Sequence, residues 1–303
     1  MRYYPAFMIS ALLLISYCGP KPTNSKEMHG ITMAYITKTK FTMGNQYSKT
    51  IDDKPVRQKE VNPFYISSTE ITNSQYAAFL NDGVQKNKII IMEEKGSFLK
   101  TVLGNAGVYN NKPLAHWINS RGAENMQSWL ILEGNTFGVV PGYENMPVVA
   151  VSWYGAYAFA ENYGFRLPTE AEWECAARGG RNYLYGTKTG QTDIDGKLLN
   201  YDKKKNGTVN IGSSPQNPFG LYDMSGNVRE WCLDKYSVNY YNTSPEKNPY
   251  NKLSPELPDD RVLRGGSFNS SGPECMSSSR DHSNPNLYDN QTGFRVVLSF
   301  YEL

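Results

Sequence analysis

Between Ile31 and Ile66, apolar and polar residues alternate in runs such as "MAYITKTKFTMG" and "KEVNPFYIS", with Gly44 and Pro63 as punctuation. Alternation of this kind predicts half-buried strands. The period changes at "TEITNSQYAAFLNDG". Thr72 with Gln75 three residues on forms a capping box, Tyr76, Phe79 and Leu80 share one helical face, and Gly83 is the expected stop. A second helix is predicted from Ser152 to Gly164. A third follows Pro168, capped by Thr169 and Glu172, with Trp173 and Ala177 turned inward and Gly179 at its end. Residues 84–145 hold apolar runs without a sustained period and read as an insertion of short strands and turns. Beyond Gly180 the chain turns irregular and rich in Gly, Asn, Asp and Tyr, and loops of that length need side-chain networks or ions to hold them. Apolar strands return at Val262–Phe268 and Phe294–Tyr301.

Few helices, short antiparallel strands and much structured loop make an α+β fold, without the continued strand-helix alternation of a doubly wound sheet. The 303 residues, 39% of them hydrophobic, allow one large domain or two ordinary ones. A formal charge of +2 gives no basic field, which argues against nucleic acid as a partner. The 22 Tyr against 12 Phe suit surfaces that touch ligands, because Tyr joins apolar area to a polar tip. Of the tryptophans, 153, 173 and 231 are expected in the core, while Trp117 and Trp129, in the insertion, fit either core or surface. His29 and His116 have no companions of metal or catalytic type.

At the N-terminus one Arg precedes an apolar run, Ala6–Ser16, too short for a permanent span and suited to a secretory signal over residues 1–17. Cys18 closes "ISYC", which resembles a lipobox although Tyr17 stands where a small residue is usual. The expectation is acylation of Cys18, a tether over 18–30, and display on the outer membrane at the cell surface with the lipid as sole membrane contact. A plain signal or a mature buried Cys is the alternative. Cys175, Cys232 and Cys275 allow one disulfide or three buried thiols.

Six blocks carry a resemblance: "FTMGN" (41–45), "TEITNSQYAAF" (69–79), "MPVVAVSWYGAYAFAE" (146–161), "RLPTEAEWECAARGG" (166–180), "NPFGLYDMSGNVREWCLD" (217–234) and "RVLRGGSF…GFRVV" (261–297). In this order they resemble the C-type lectin fold of the formylglycine-generating enzyme (sulfatase-modifying factor) type, which implies a single domain over 31–303. The copper-dependent oxidases of that family need two Cys in the last block, since paired thiolates suit soft Cu(I). Here Cys275 matches the second and Ser270 stands at the first. The resemblance therefore implies no catalysis, with a formylglycine-type oxidase or other peptide-modifying enzyme as the alternative. It also implies a structural Ca²⁺ through Asp223, Glu230 and the carbonyls of Gly226 and Val228, with no cofactor required; oxygen ligands in a loop suit that ion. Against it stands a reading in which Glu230 pairs with an Arg such as Arg264 and Asp223 caps a turn. Position 229 departs from the family's usual aromatic.

The ending resembles a second branch, the variable proteins of diversity-generating retroelements, and among them treponeme variable lipoproteins. From Asn269 to Thr292, 16 of 24 residues are Ser, Thr, Asn, Asp, Gly or Pro, between apolar strands. That branch randomises Asn-type codons, which implies exchangeable positions in 264–297 at Asn269, Ser270, Ser271, Ser278, Asp281, His282, Asn284, Asn286, Tyr288, Asp289 and Asn290. Glu274 and Met276 are further contacts. Gly265, Gly266, Arg280, Gly293, Phe294 and Arg295 read as framework. The expected function is a hypervariable contact surface for a protein or glycan on another cell. A lipoprotein of the same fold with fixed structural or glycan-binding duty is the other alternative.

Overall fold

Local signals set the three main helices where the sequence places them. In the computed structural model, which describes residues 25–93, 99–105, 107–119, 128–192, 199–203, 205–252 and 259–300, α1 spans Asn73–Gln85, α2 Trp153–Asn162 and α3 Glu170–Ala177. Thr72 and Thr169 cap α1 and α3 in full capping boxes, and the Ser152 hydroxyl accepts from the Gly155 amide. A short α4 covers Tyr240–Thr243. Gly83 does not stop α1: it lies inside the helix, where a Cβ would meet Ile89 Cγ2 at 2.9 Å. Its role is close approach, and Asn87 at φ 53° takes the left-handed position instead.

The strands are β1 (Ser25–Met28), β2 (Ile31–Ile36), β3 (Thr39–Met43), β4 (Arg57–Val61), β5 (Phe64–Ser67), β6 (Ile89–Glu93), β7 (Leu99–Gly104), β8 (Pro113–Asn119), β9 (Leu130–Glu133), β10 (Thr136–Val139), β11 (Arg229–Lys235), β12 (Arg261–Arg264), β13 (Arg280–Ser283), β14 (Thr292–Gly293) and β15 (Val297–Ser299). They form sheets ordered β1-β2-β5-β15, β10-β9-β8-β7-β6 and β13-β12-β11-β14, with β3-β4 as a ribbon. The insertion is thus a sheet of its own, which the broken periodicity conceals. The tether boundary also moves: Ser25 to Met28 pair in register with Ala34 to Ile31, so the sheet begins before residue 30. The signal, Cys18 and the rest of the tether lie outside the described residues, as does the side chain of Trp117.

Both long C-terminal strands expected from composition are shorter. Gly265 and Gly266, at φ 94° and 68°, turn the chain out of β12. A side chain at 266 would collide with Cys275 Sγ at 2.6 Å. At the other end, among the described residues, the strand paired with β5 is Val297–Ser299. One core joins Tyr76, Phe79 and Leu80 of α1 to Phe159 of α2 and to Trp153, Trp231 and Phe294; a second packs Trp173 and Ala177 of α3 against Phe41, Met43, Phe64 and Cys232.

Asp234 lies wholly inside, next to α3. Burial and then the charge of Glu170 raise its carboxyl to about 7, against the pull of the Glu170 and Asn251 amides. The native state then holds this proton where the unfolded chain, near the ordinary 4, has released it. Stability from this group is present below about pH 4 and falls as pH rises to about 7. Asp234→Asn is expected to flatten that part of the stability-pH curve, measured by urea unfolding at several pH values.

Candidate binding surface at the C-terminal segment

The segment between β12 and β15 is nailed from beneath and open above. Its backbone is bonded to framework amides and carbonyls along its length: Asp202 N to Ser270 O (2.8 Å), Ser277 N to Leu184 O (2.7 Å), Trp153 N to Pro285 O (3.0 Å), Ala150 N to Asp289 O (2.8 Å) and Arg229 N to Gln291 O (2.7 Å). None of these bonds uses a side chain of the segment.

Two buried arginines extend the pinning. Arg264 donates to the carbonyls of Ser277 (2.8 Å), Ser278 (3.0 Å) and Ser279 (2.8 Å) and pairs with Glu174 on α3. Arg280, inside the segment, forks onto Glu170 at 2.6 and 3.0 Å and reaches the Asp52 carbonyl at 2.7 Å. Glu174 lies below its ordinary pKa: burial alone would raise it, but Arg178 and Arg264 outweigh that. Paired, hydrogen-bonded ions of this kind are costly to disrupt.

On that base, the expected contact residues divide clearly. Asn269, Ser271, Glu274, His282, Asn284, Asn286 and Tyr288 are exposed, and Ser270, Met276, Asp281, Asp289 and Asn290 are half-buried. Ser278 is the correction: it is 2% exposed, because Arg264 draws the Ser277–Ser279 carbonyls inward. Aromatic partners outside the segment steady two of the exposed rings. His282 stacks on Tyr236 at 3.7 Å and shares a hydrogen bond with Asp260, and Tyr288 stacks on His116 at 3.6 Å. Burial lowers His116 to about 4, so that ring is neutral at physiological pH. His116 and its sheet therefore buttress the surface, a role the sequence did not suggest.

The surface also includes residues that the sequence reading missed. A groove of about 380 Å³ runs between the β3-β4 loop (Asn45, Tyr47, Ser48, Lys49, Thr50, Asp53) and Pro273, Glu274, Met276, Ser278 and Ser279, with Leu184 on its wall. Tyr47, Ile51 and Leu184 are 86%, 74% and 50% exposed, and Tyr47 and Leu184 line the groove together. Nothing in the strand pattern marks this loop; the large residues at 47 and 51 were the available signal. Nearby, a cavity of about 210 Å³ is lined by Arg229, Arg264, Ser270, Glu274, Arg280 and Asp281. Trp129, stacked on Tyr143 at 3.6 Å, lines a third of about 290 Å³ with Phe268 and Asn290.

The two carboxylates expected to hold Ca²⁺ are otherwise engaged. Glu230 accepts from Arg295 at 2.6 and 2.8 Å and from the Trp173 indole at 2.7 Å, and Asp223 accepts from the amides of Gly212 (2.5 Å) and Ser214 (3.0 Å). The arginine partner is Arg295, not Arg264. As arranged here, Glu230 is committed to a guanidinium and an indole and not to a cation, and among the described residues no group of three His, Cys, Asp or Glu is placed to hold a metal. The three thiols are free and buried, with no disulfide among them. Burial pushes Cys275 up to about 12, and Ser270 accepts from the Ser267 amide at 3.0 Å, so this pair does not fit thiolate ligation of Cu(I).

The sulfatase-modifying factor enzyme 1-like domain matches residues 20–300. The chain belongs to this family. The formylglycine-generating enzyme of Streptomyces coelicolor is 34% identical over 280 residues, which cover 85% of this chain and 86% of that protein. The serine/threonine-protein kinase pkn1 of Chlamydia caviae is 33% identical over 266 residues, 88% of this chain but 37% of the kinase, so the chain spans little more than a third of that relative. Two solved structures share the fold of the family. PvdO from Pseudomonas aeruginosa has a TM-score of 0.65 at 22% identity, covering 92% of this chain and 99% of its own. Treponema denticola variable protein 1 has a TM-score of 0.61 at 20% identity, covering 90% of this chain and 97% of its own. The expected fold is therefore the one found.

Proposed function

We propose that this member of the family is a non-catalytic binding protein whose C-terminal segment is an exchangeable contact surface, displayed at the cell surface through a lipid on Cys18. One observation carries the reading. Twelve of the thirteen expected contact side chains are exposed or half-buried, while the backbone beneath them is bonded to the framework through atoms that do not depend on those side chains. Substitution on top then leaves these backbone bonds in place, as in antibody loops on their scaffold. The variable protein of Treponema denticola uses the same fold, which is consistent with this use of it. The ligand is a protein or glycan of another cell. The half-missing thiol pair argues against the oxidase chemistry of the family's enzymes.

The test is an exchange of the twelve exposed and half-buried positions for other polar or Tyr residues. Unfolding midpoints are expected to stay close to that of the parent while the ligand captured from intact cells changes. A variant set that fails to fold, or that keeps the parent's ligand, overturns the reading. So does aldehyde formation when the purified protein is given Cu(I) and a Cys-containing peptide.

A further inference from the structure

Arg229 stands in β11, outside the segment, and reaches into it. Its Nη1 donates to Asp281 Oδ2 at 2.5 Å, and its Nη2 donates to Asp289 Oδ2 at 2.7 Å and to Thr292 Oγ1 at 3.2 Å. The two aspartates come from opposite arms of the segment, one in β13 and one just before β14. The arginine is half-buried, and its Nε, fully shielded, has no hydrogen-bond acceptor. It lines the 210 Å³ cavity that also holds Ser270, Glu274 and Asp281.

The other charges around that cavity are spoken for. Arg264 pairs with Glu170 and Glu174, Arg280 with Glu170, and Glu274 turns one oxygen to the amide and hydroxyl of Ser271. Of the three arginines lining this cavity, Arg229 is the one whose carboxylate partners are both exchangeable residues. A guanidinium is permanently charged, and its planar fork matches a carboxylate with two parallel hydrogen bonds.

We propose that Arg229 is a masked recognition group for a ligand carboxylate: aspartates at 281 and 289 cover it in this chain, and their replacement by neutral residues opens the cavity to a carboxylate of the partner. The assignment of 281 and 289 as exchangeable rests on the reading above; the masking itself does not. Under it, copies with acidic residues at both positions avoid acidic ligands, and copies with Asn, Ser or Tyr there select them.

The probe is acetate, titrated into ¹⁵N-labelled protein while the Arg229 Nε–Hε signal is followed, with chloride holding ionic strength constant. In Asp281→Asn/Asp289→Asn the signal is expected to shift saturably, with an apparent affinity at least about tenfold above that of the parent. Adding Arg229→Gln is expected to abolish acetate binding, read by calorimetry. Sulfate, which is tetrahedral, is expected to bind more weakly. Should the double variant fail to fold, Asp281→Asn alone, whose parent carboxylate is 48% exposed, gives an intermediate response. Equal responses in parent and variant, no response in the folded variant, or binding that survives Arg229→Gln each overturn the inference. Those results leave the exchangeable-surface reading standing, whereas sister copies that never differ at 281 and 289 remove that reading and leave the masking intact.

Discussion

Glu170→Gln is expected to cost about 3–5 kcal/mol of folding stability, as breaking one side of a buried ion pair does. Glu170 is wholly buried at the start of α3, where Oε1 takes Arg280 Nε at 2.6 Å and Oε2 takes its Nη2 at 3.0 Å. Arg264 Nη1 approaches to 3.5 Å, and the Tyr241 hydroxyl donates at 3.4 Å. A glutamine keeps the shape but turns an NH₂ toward a donor-only guanidinium. Arg264 would keep Glu174, which it shares with Arg178, while Arg280 would retain only the carbonyls of Asp52 and Ser237. A loss of that size is a large part of a domain's whole stability. Urea unfolding measures it, and native-state hydrogen exchange over Asp281–Ser283 should accelerate with it, because Arg280 opens β13. A loss below about 1 kcal/mol would mean that the segment is held by its backbone bonds alone, whereas an exposed control such as Asn286→Ser should stay within about 0.5 kcal/mol.

This dependence on α3 marks the boundary of what the sequence discloses. Capping boxes at Thr72 and Thr169 are legible because cap and partner are three residues apart and the chemistry is local. The inward Tyr76, Phe79, Leu80 and Trp173 are legible for the same reason, through helical period. The contacts that fix the surface are not: Arg280 is 110 residues from Glu170, and Arg264 is 90 from Glu174. Nothing in either neighbourhood names the other. Glu230 and Arg264 are opposite each other in the β11-β12 register, yet their side chains serve different partners, so even a correct strand pairing would have misassigned the ion pair.

The surface itself was read from composition, and composition predicts exposure less well than chemistry. Ser278 is as polar as Ser271, but a guanidinium beneath the chain draws it inside. Conversely, the large ring of Tyr47 stands in solvent beside the segment, and Ile51 of the same loop is exposed. The insertion reads as broken strands because its residues alternate only within four to seven positions, and their pairing into one sheet is a tertiary fact.

Arg295→Met is expected to be comparably damaging, for a reason that bears on the family's cation chemistry. Arg295 is wholly buried and satisfies four acceptors: both oxygens of Glu230 and the carbonyls of Ser67 and Tyr222, the last two at 3.0 Å. Methionine fills much of the volume and supplies none of the donors. Glu230 would retain only the Trp173 indole at 2.7 Å. Two further carboxylates lie close by. Burial, and then the charge of Asp223, push Glu70 well above its ordinary value, and burial raises Asp223 as well. Arg295 is the cation that pulls against both shifts, so its removal leaves the three buried carboxylates without the guanidinium they share. The expected loss is about 3–5 kcal/mol by urea unfolding. Adding Glu230→Gln should recover part of it by removing the stranded charge, though not all, because Ser67 and Tyr222 still lack their donor. If the single variant instead lost under about 1 kcal/mol, the guanidinium would not be what neutralises this cluster. Full recovery in the double variant would place the whole cost in the Glu230 charge and none in the two carbonyls.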